Sequence, residues 1–120
     1  MGKGLVTTGK EQADAVFIAA VTATGATNLG VMLGYYRLFF SGTFTATAQL
    51  ECSYDGGSTW IPASLDTSGD AASYSTPVSL TGFEPEKGIY YRVNCTAYTS
   101  GTINVRLSGN VNFTGASWGA

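Results

Sequence analysis

Between residues 44 and 54 the chain reads FTATAQLECSY, and one side of the alternation is apolar at every position. A period of two is the signature of an extended strand with one buried face, and no helix can satisfy it. Phe44, Ala46, Ala48, Leu50, Cys52 and Tyr54 share one face, against Thr45, Thr47, Gln49, Glu51 and Ser53 on the other. The same parity sets Ile89, Tyr91, Val93, Cys95 and Ala97 against Tyr90, Arg92, Asn94, Thr96 and Tyr98. Near the C-terminus it sets Ile103, Val105, Leu107, Val111 and Phe113 against Asn104, Arg106, Ser108, Asn110 and Asn112. In each case the first set is predicted to face the core.

Four further segments, AVFIAAVTA, LGVMLGYYRLFF, WIPASL and YSTPVSL, carry β-type composition, each bounded by Gly, Asp, Ser or Pro. Seven or eight short strands in 120 residues predict a single all-β domain, an antiparallel sandwich of jelly-roll or immunoglobulin-like type, over residues 15–113. Residues 1–14 are polar, Gly-rich and aperiodic and read as a flexible N-terminal arm, with residues 114–120 as a C-terminal tail. Charged residues are 12% of the chain, too few for long solvated helices. Such sparse charge points to a surface largely covered by other subunits. Apart from Glu51, Arg92 and Arg106, the outward strand sets are neutral and mostly hydroxylated or amide-bearing, which suits a face that packs on a neighbour. Within LGVMLGYYRLFF, Tyr35, Tyr36, Leu38, Phe39 and Phe40 leave no polar face, so the segment is either central in the sandwich or a contact strip.

Chemistry is hard to find. The chain has no histidine, which removes the usual general base, the common catalytic triads and most zinc sites. The carboxylate pairs Asp66 with Asp70 and Glu84 with Glu86 sit in loop sequence, TSGD and FEPEKG, and are predicted to be solvated turn residues. The stretch D-T-S-G-D lacks the ligand count of a calcium loop, and no phosphate-binding glycine motif precedes a helix pattern. No cofactor and no enzymatic activity are expected. The formal net charge is −2, and the basic residues Lys3, Lys10, Arg37, Lys87, Arg92 and Arg106 are scattered, so nucleic acid is not an expected partner. The apolar run Ala15–Val21 is too short to span a bilayer and the start lacks the pattern of a secretory signal, so no membrane association and synthesis in cytoplasm are expected. In that compartment Cys52 and Cys95 are expected as buried thiols rather than a disulfide.

Residues 53–60, SYDGGSTW, fit S-x-D-x-G-x-T-W and resemble the Asp-box of sialidases and related propellers. A propeller needs several blades of roughly 40 residues each, so the chain is too short to be one. Asp-Gly between two strand patterns is a hairpin signal in its own right. A loop of Asp55, Gly56 and Gly57 would pair Cys52 with Trp60 and bury the indole, worth about 2 to 3 kcal/mol; a loop of Asp55 and Gly56 alone would turn Trp60 toward Glu51. The first register is the expectation. In it Ser53, Asp55, Ser58 and Thr59 satisfy loop amides, the glycines take positive φ, and Trp60 anchors the returning strand.

Taken together, GYYRLFFSGTFTATAQLECSYDGGSTWIPASL and GIYYRVNCTAYTSGTINVRLSG resemble small virion proteins of tailed bacteriophages, over about residues 28 to 109. The carrying features are the SGTF-type strand end, the L-x-x-S-x-D-G-G-x-T-W hairpin and the Y-Y-R-x-x-C-T-x-Y-x-S-G-T segment. The resemblance implies a structural role on the virion: a head decoration or auxiliary protein bridging major capsid subunits as a homo-oligomer, or a fibre or tail component. On that reading Lys3, Lys10, Tyr35, Tyr36, Phe39, Phe40 and Trp118 are candidate interface residues on the capsid surface. The alternative is a glycan- or receptor-binding module that uses Tyr90, Tyr98 and the loop from Asp66 to Tyr74.

Overall fold

The computed structural model describes residues 15–65 and 72–110. Among them the chain forms seven strands and no helix: β1 (Ala15–Val21), β2 (Gly25–Ser41), β3 (Phe44–Ser53), β4 (Ile61–Pro62), β5 (Ser73–Tyr74), β6 (Val78–Gly101) and β7 (Ile103–Asn110). All belong to one antiparallel sheet in the order β1-β7-β2-β6-β3-β4, with β5 also on β3.

Two long strands organise the sheet. The second half of β2, from Gly34, pairs with β6 residues 78–84 on one side and with β7 on the other, while β1 closes that edge against β7. The first half of β2 pairs with β6 residues 89–95, whose far edge carries β3. The chain thus holds a β1-β7-β2-β6 ladder and a β2-β6-β3-β4 ladder, joined where β2 and β6 pass from one to the other. At the crossing the register jumps from Gly34 opposite Glu84 to Met32 opposite Ile89. The FEPEKG stretch, expected as a loop between strands, is therefore a wide bulge inside β6, and Gly88 takes φ 84° there, a value L side chains rarely adopt.

Apolar side chains of both ladders meet in one core. Met32, Leu38, Phe40, Leu50, Val93, Ile103, Val105 and Leu107 are fully enclosed, each worth about 1.5–3 kcal/mol for the large ones. Tyr36 of the first ladder lies 5.1 Å from Tyr91 of the second, ring centre to ring centre. Phe40 meets Tyr74 of β5 at 6.3 Å. Phe17 of β1 presses on the Gly30 backbone so closely that a Cβ there would stand 2.3 Å from the ring.

The alternation places Ala46, Ala48, Leu50, Ile89, Tyr91, Val93, Cys95, Ile103, Val105 and Leu107 inside, as read from the sequence. Several neighbours depart from it. Tyr54 is 64% exposed, because β3 ends at Ser53 and the chain turns away. Ala97 is exposed, because β6 carries extra residues opposite β3: Thr47 pairs with Ala97 but Ala48 with Cys95, so parity shifts and Tyr98 comes to lie opposite Ala46. Glu51, Ser53 and Ser108, expected on the wet face, are buried by the side chains and turn above them. Cys52 is half-buried and Cys95 buried, and both are free thiols. Val111 and Phe113 lie outside the described residues.

Candidate functional site

The SYDGGSTW turn is held by its own side chains. The Ser53 hydroxyl donates to Asp55 Oδ1 at 2.7 Å and accepts the Gly57 amide at 2.9 Å. Asp55 Oδ1 also accepts the amides of Ser58 at 3.0 Å and Thr59 at 2.8 Å. Gly56 and Gly57 take φ 77° and 103° so that these amides can converge. The Thr59 amide, then the Ser53 hydroxyl, hold the Asp55 carboxyl down to about 2. It therefore carries no proton at neutral pH, and its donors come from its own turn.

The register differs from the expected one. Cys52 pairs with Ile61 and Glu51 with Pro62, so the connection runs from Ser53 to Trp60 in place of a three-residue loop. Trp60 consequently stands on the outer face and not beside Cys52. Its ring lies 4.4 Å from the Arg92 guanidinium carbon, and its Nε1 donates to the Gly57 carbonyl at 2.8 Å. The expected register rested on burial of the indole, whereas a cation and a carbonyl engage it outside the core.

Under Trp60 sits a polar cluster. Glu51 accepts Arg92 Nε at 2.7 Å on Oε1, and Gln49 Nε2 at 2.7 Å and Asn94 Nδ2 at 3.1 Å on Oε2. Burial alone would push this carboxyl up, but the three donors outweigh burial and hold it below the usual glutamate range.

Glu84 was expected in a solvated loop, yet it points inward and is buried. The Tyr91 hydroxyl donates to its Oε1 at 2.6 Å and the Glu86 amide to its Oε2 at 3.0 Å. Burial pushes the Tyr91 phenol well up, helped by Tyr36 and Glu84, and burial likewise raises Tyr36. The Cys52 thiol is raised by burial and by the charges of Glu84 and Glu51, so it stays protonated at neutral pH. These groups form a packed polar seam.

The outer face of the β1-β7-β2-β6 ladder is different in character. Register aligns Ile18 with Arg106 and Phe39, Val16 with Ser108 and Arg37, and Tyr35 with Phe83. Val16, Ile18, Tyr35 and Phe83 are exposed, Ile18 at 74% and Tyr35 at 68%. Both guanidinium groups lie over Phe39, Arg37 at 5.7 Å and Arg106 at 5.8 Å from the ring centre. Their side-chain hydrogen bonds go to neutral hydroxyls, Arg37 to Ser79 at 2.8 Å and Arg106 to Ser108 at 2.9 Å. A depression of about 250 Å³ opens between Tyr35, Arg37, Thr81 and Ser108.

The aromatic strip is thus split by strand parity. Tyr35 and Phe39 lie on this outer face, whereas Tyr36 and Phe40 are buried in the core. Lys3, Lys10 and Trp118 lie outside the described residues, as do Asp66 and Asp70. Of the residues considered for sugar binding, Tyr90 is exposed, while the Tyr98 hydroxyl donates to the Gly101 carbonyl at 2.7 Å. A second groove, about 400 Å³, runs along Phe44, Thr45, Thr47, Ser75 and Thr99. The pairing of Arg37 and Arg106 around Phe39 was missed in the sequence, although the i, i+2 spacing of Arg37 and Phe39 would have placed them on one face. Among the described residues no group of three or more His, Cys, Asp or Glu is arranged to hold a metal. Nor is any helix there long and apolar enough to cross a membrane.

No known protein family, curated protein or solved structure matches the chain.

Proposed function

We propose that the protein is a non-enzymatic structural component of a phage virion, a head decoration or auxiliary protein that binds major capsid subunits at the capsid surface and assembles with further copies of itself. On this reading the bent sheet serves as a β-sandwich that carries an attachment surface. The observation that carries the proposal is the outer face of the β1-β7-β2-β6 ladder, where exposed Val16, Ile18, Tyr35 and Phe83 gather on one side of a small domain. Contiguous exposed apolar side chains of this kind mark surfaces that meet another macromolecule. The resemblance of the hairpin and of YYRVNCTAYTSGT to phage virion proteins supplies the setting.

Purified protein added to heads that lack it tests the proposal, with bound copies read by electron microscopy. Regular density on the shell is the expected result, weakened when residues 1–14 are deleted. Absence of binding overturns it. The groove along Phe44, Thr45, Thr47, Ser75 and Thr99, lined with hydroxyls beside one aromatic ring, supports a second reading as a glycan-binding module. Specific binding of the isolated protein on a glycan array would favour that reading.

A further inference from the structure

We infer that the outer face of the β1-β7-β2-β6 ladder docks an acidic apolar strip of another protein, in which carboxylate side chains are set between aliphatic or aromatic ones. This inference rests on the proposed attachment role for where the partner sits, and on the face itself for the partner's chemistry.

Arg37 and Arg106 are exposed neighbours that share one aromatic ring, and among the described residues their side chains bond serine hydroxyls. Among the described residues the ion pair is Arg92 with Glu51, on the other ladder, so no described carboxylate pairs with either of these two cations. The chain as a whole is acidic, with a formal net charge of −2. A local excess of positive charge on an acidic protein is a feature that selects partners by sign. Guanidinium groups take carboxylates through two parallel hydrogen bonds, and stacking on Phe39 holds them ready for it. Around them stand Val16, Ile18, Tyr35 and Phe83, which can bury apolar side chains, and the depression between Tyr35 and Arg37 offers one of these a seat.

The same charges argue against a second copy of this chain as the occupant. A two-fold pairing through this face would set Arg37 and Arg106 against their own counterparts, a like-charge arrangement that costs several kcal/mol where desolvated. The exposed acids among the described residues are Asp55, on the hairpin of the other ladder, and Glu86, on the β6 bulge where the two ladders join.

The test titrates the full isotope-labelled chain, by amide NMR, with three soluble peptides of one apolar pattern whose intervening residues are Glu, Gln or Lys. Shifts confined to β1, β7, the second half of β2 and the start of β6 are expected with the Glu peptide. Its affinity should exceed that of the Lys peptide at least about tenfold and fall as salt rises from about 50 to 500 mM. Arg37→Glu with Arg106→Glu should reverse the preference. Arg37→Gln with Arg106→Gln should remove it while leaving amide positions elsewhere in the spectrum unchanged. Equal affinity for the Glu and Lys peptides, shifts centred elsewhere, or a wild-type response from the Glu variant overturns the inference.

Binding to heads that lack the protein separates this inference from the attachment role. Heads that bind wild type but not the Glu variant support both. Heads that bind the two alike overturn the docking face and leave the attachment role standing. Heads that bind neither, with the peptide preference intact, remove the attachment role and leave the chemistry of the face supported.

Discussion

Replacing Glu51 by Gln removes one charge from a buried side chain and changes its volume very little. Glu51 is only 5% exposed, and all three of its side-chain partners are donors: Gln49 Nε2, Asn94 Nδ2 and Arg92 Nε. A Gln amide can offer one oxygen to this ring of donors, and its NH2 must then face at least one of them, leaving a buried donor unpaired. A hydrogen bond to a charged group is worth about 1.5–3 kcal/mol net, and a buried unpaired donor costs about 1–3 kcal/mol. The Arg92 side chain is 22% exposed and keeps some water, which reduces its share. Because the donors act on one carboxylate the losses do not add, and the expected cost is about 2–3 kcal/mol at pH 7. Urea unfolding should show this as a lower midpoint at constant slope, and thermal unfolding as a fall of roughly 6–15 °C.

The pH dependence sharpens the test. The folded Glu51 carboxyl lies below its unfolded value, so its contribution is fully present above the unfolded pKa, about 4.3, and is lost as pH falls through the lower folded value. The gap between wild type and Glu51→Gln should therefore narrow in acid. A cost under about 0.5 kcal/mol at pH 7, or a gap of unchanged size at pH 3, would refute the assigned role of the cluster.

Trp60→Ala should cost about 1–2 kcal/mol, the worth of one cation–π contact and one hydrogen bond; a loss in the range of about 3–5 kcal/mol typical of a core Trp would show that the indole is buried after all. Gly101 has φ 88°, and a Cβ on it would stand 2.2 Å from the Thr43 carbonyl oxygen, so Gly101→Ala should cost about 2–4 kcal/mol, and a wild-type urea midpoint would contradict the turn geometry. The Asp55 carboxyl, followed by NMR, should titrate at about 2. Its support of the hairpin is then present above the unfolded value of about 3.9 and lost as pH falls toward the folded one; a midpoint near the unfolded value would mean that the converging amides are not formed in solution. Tyr91→Phe strips Glu84 Oε1 of its phenol donor and should destabilise by about 1–2 kcal/mol near neutrality. The folded Tyr91 phenol is raised, so wild type should lose stability as pH rises past about 10 while the Phe variant loses less over the same range; equal alkaline losses would refute the Tyr91 contribution.

Strand identity was readable where one face is dry and the other wet, as at Leu50 with Gln49 or Val105 with Asn104, because water enforces the alternation residue by residue. It failed where something other than water decides. The bulge that turns Ala97 outward depends on how β3 and β6 match in length, a property of two segments far apart in sequence. Glu84 reads as a loop acid until Tyr91, brought alongside by the fold, gives it a donor. The roles of Ser53 and Asp55 in SYDGGSTW were legible, since they act within a few residues of themselves. Ser58 and Thr59, expected to supply side-chain oxygens to loop amides, offer their own amides to Asp55. The register of the turn was not legible, since Trp60 answers to Arg92 across the sheet. The outer arginine pair was hidden for the same reason: Arg37 and Arg106 meet only because β7 returns beside β2.

The passage of β2 and β6 through both ladders governs how the chain gets into and out of its native state. Gly25 must find Cys95 and Phe40 must find Val78 before either ladder has its central pair. Few of the contacts that stabilise the protein can therefore form early or locally, so folding should be slow for a domain of this size. Loss of either long strand would strip a neighbour from both ladders at once, so the sheet should come apart as one cooperative unit, and amide exchange in β3 and in β7 should report the same opening.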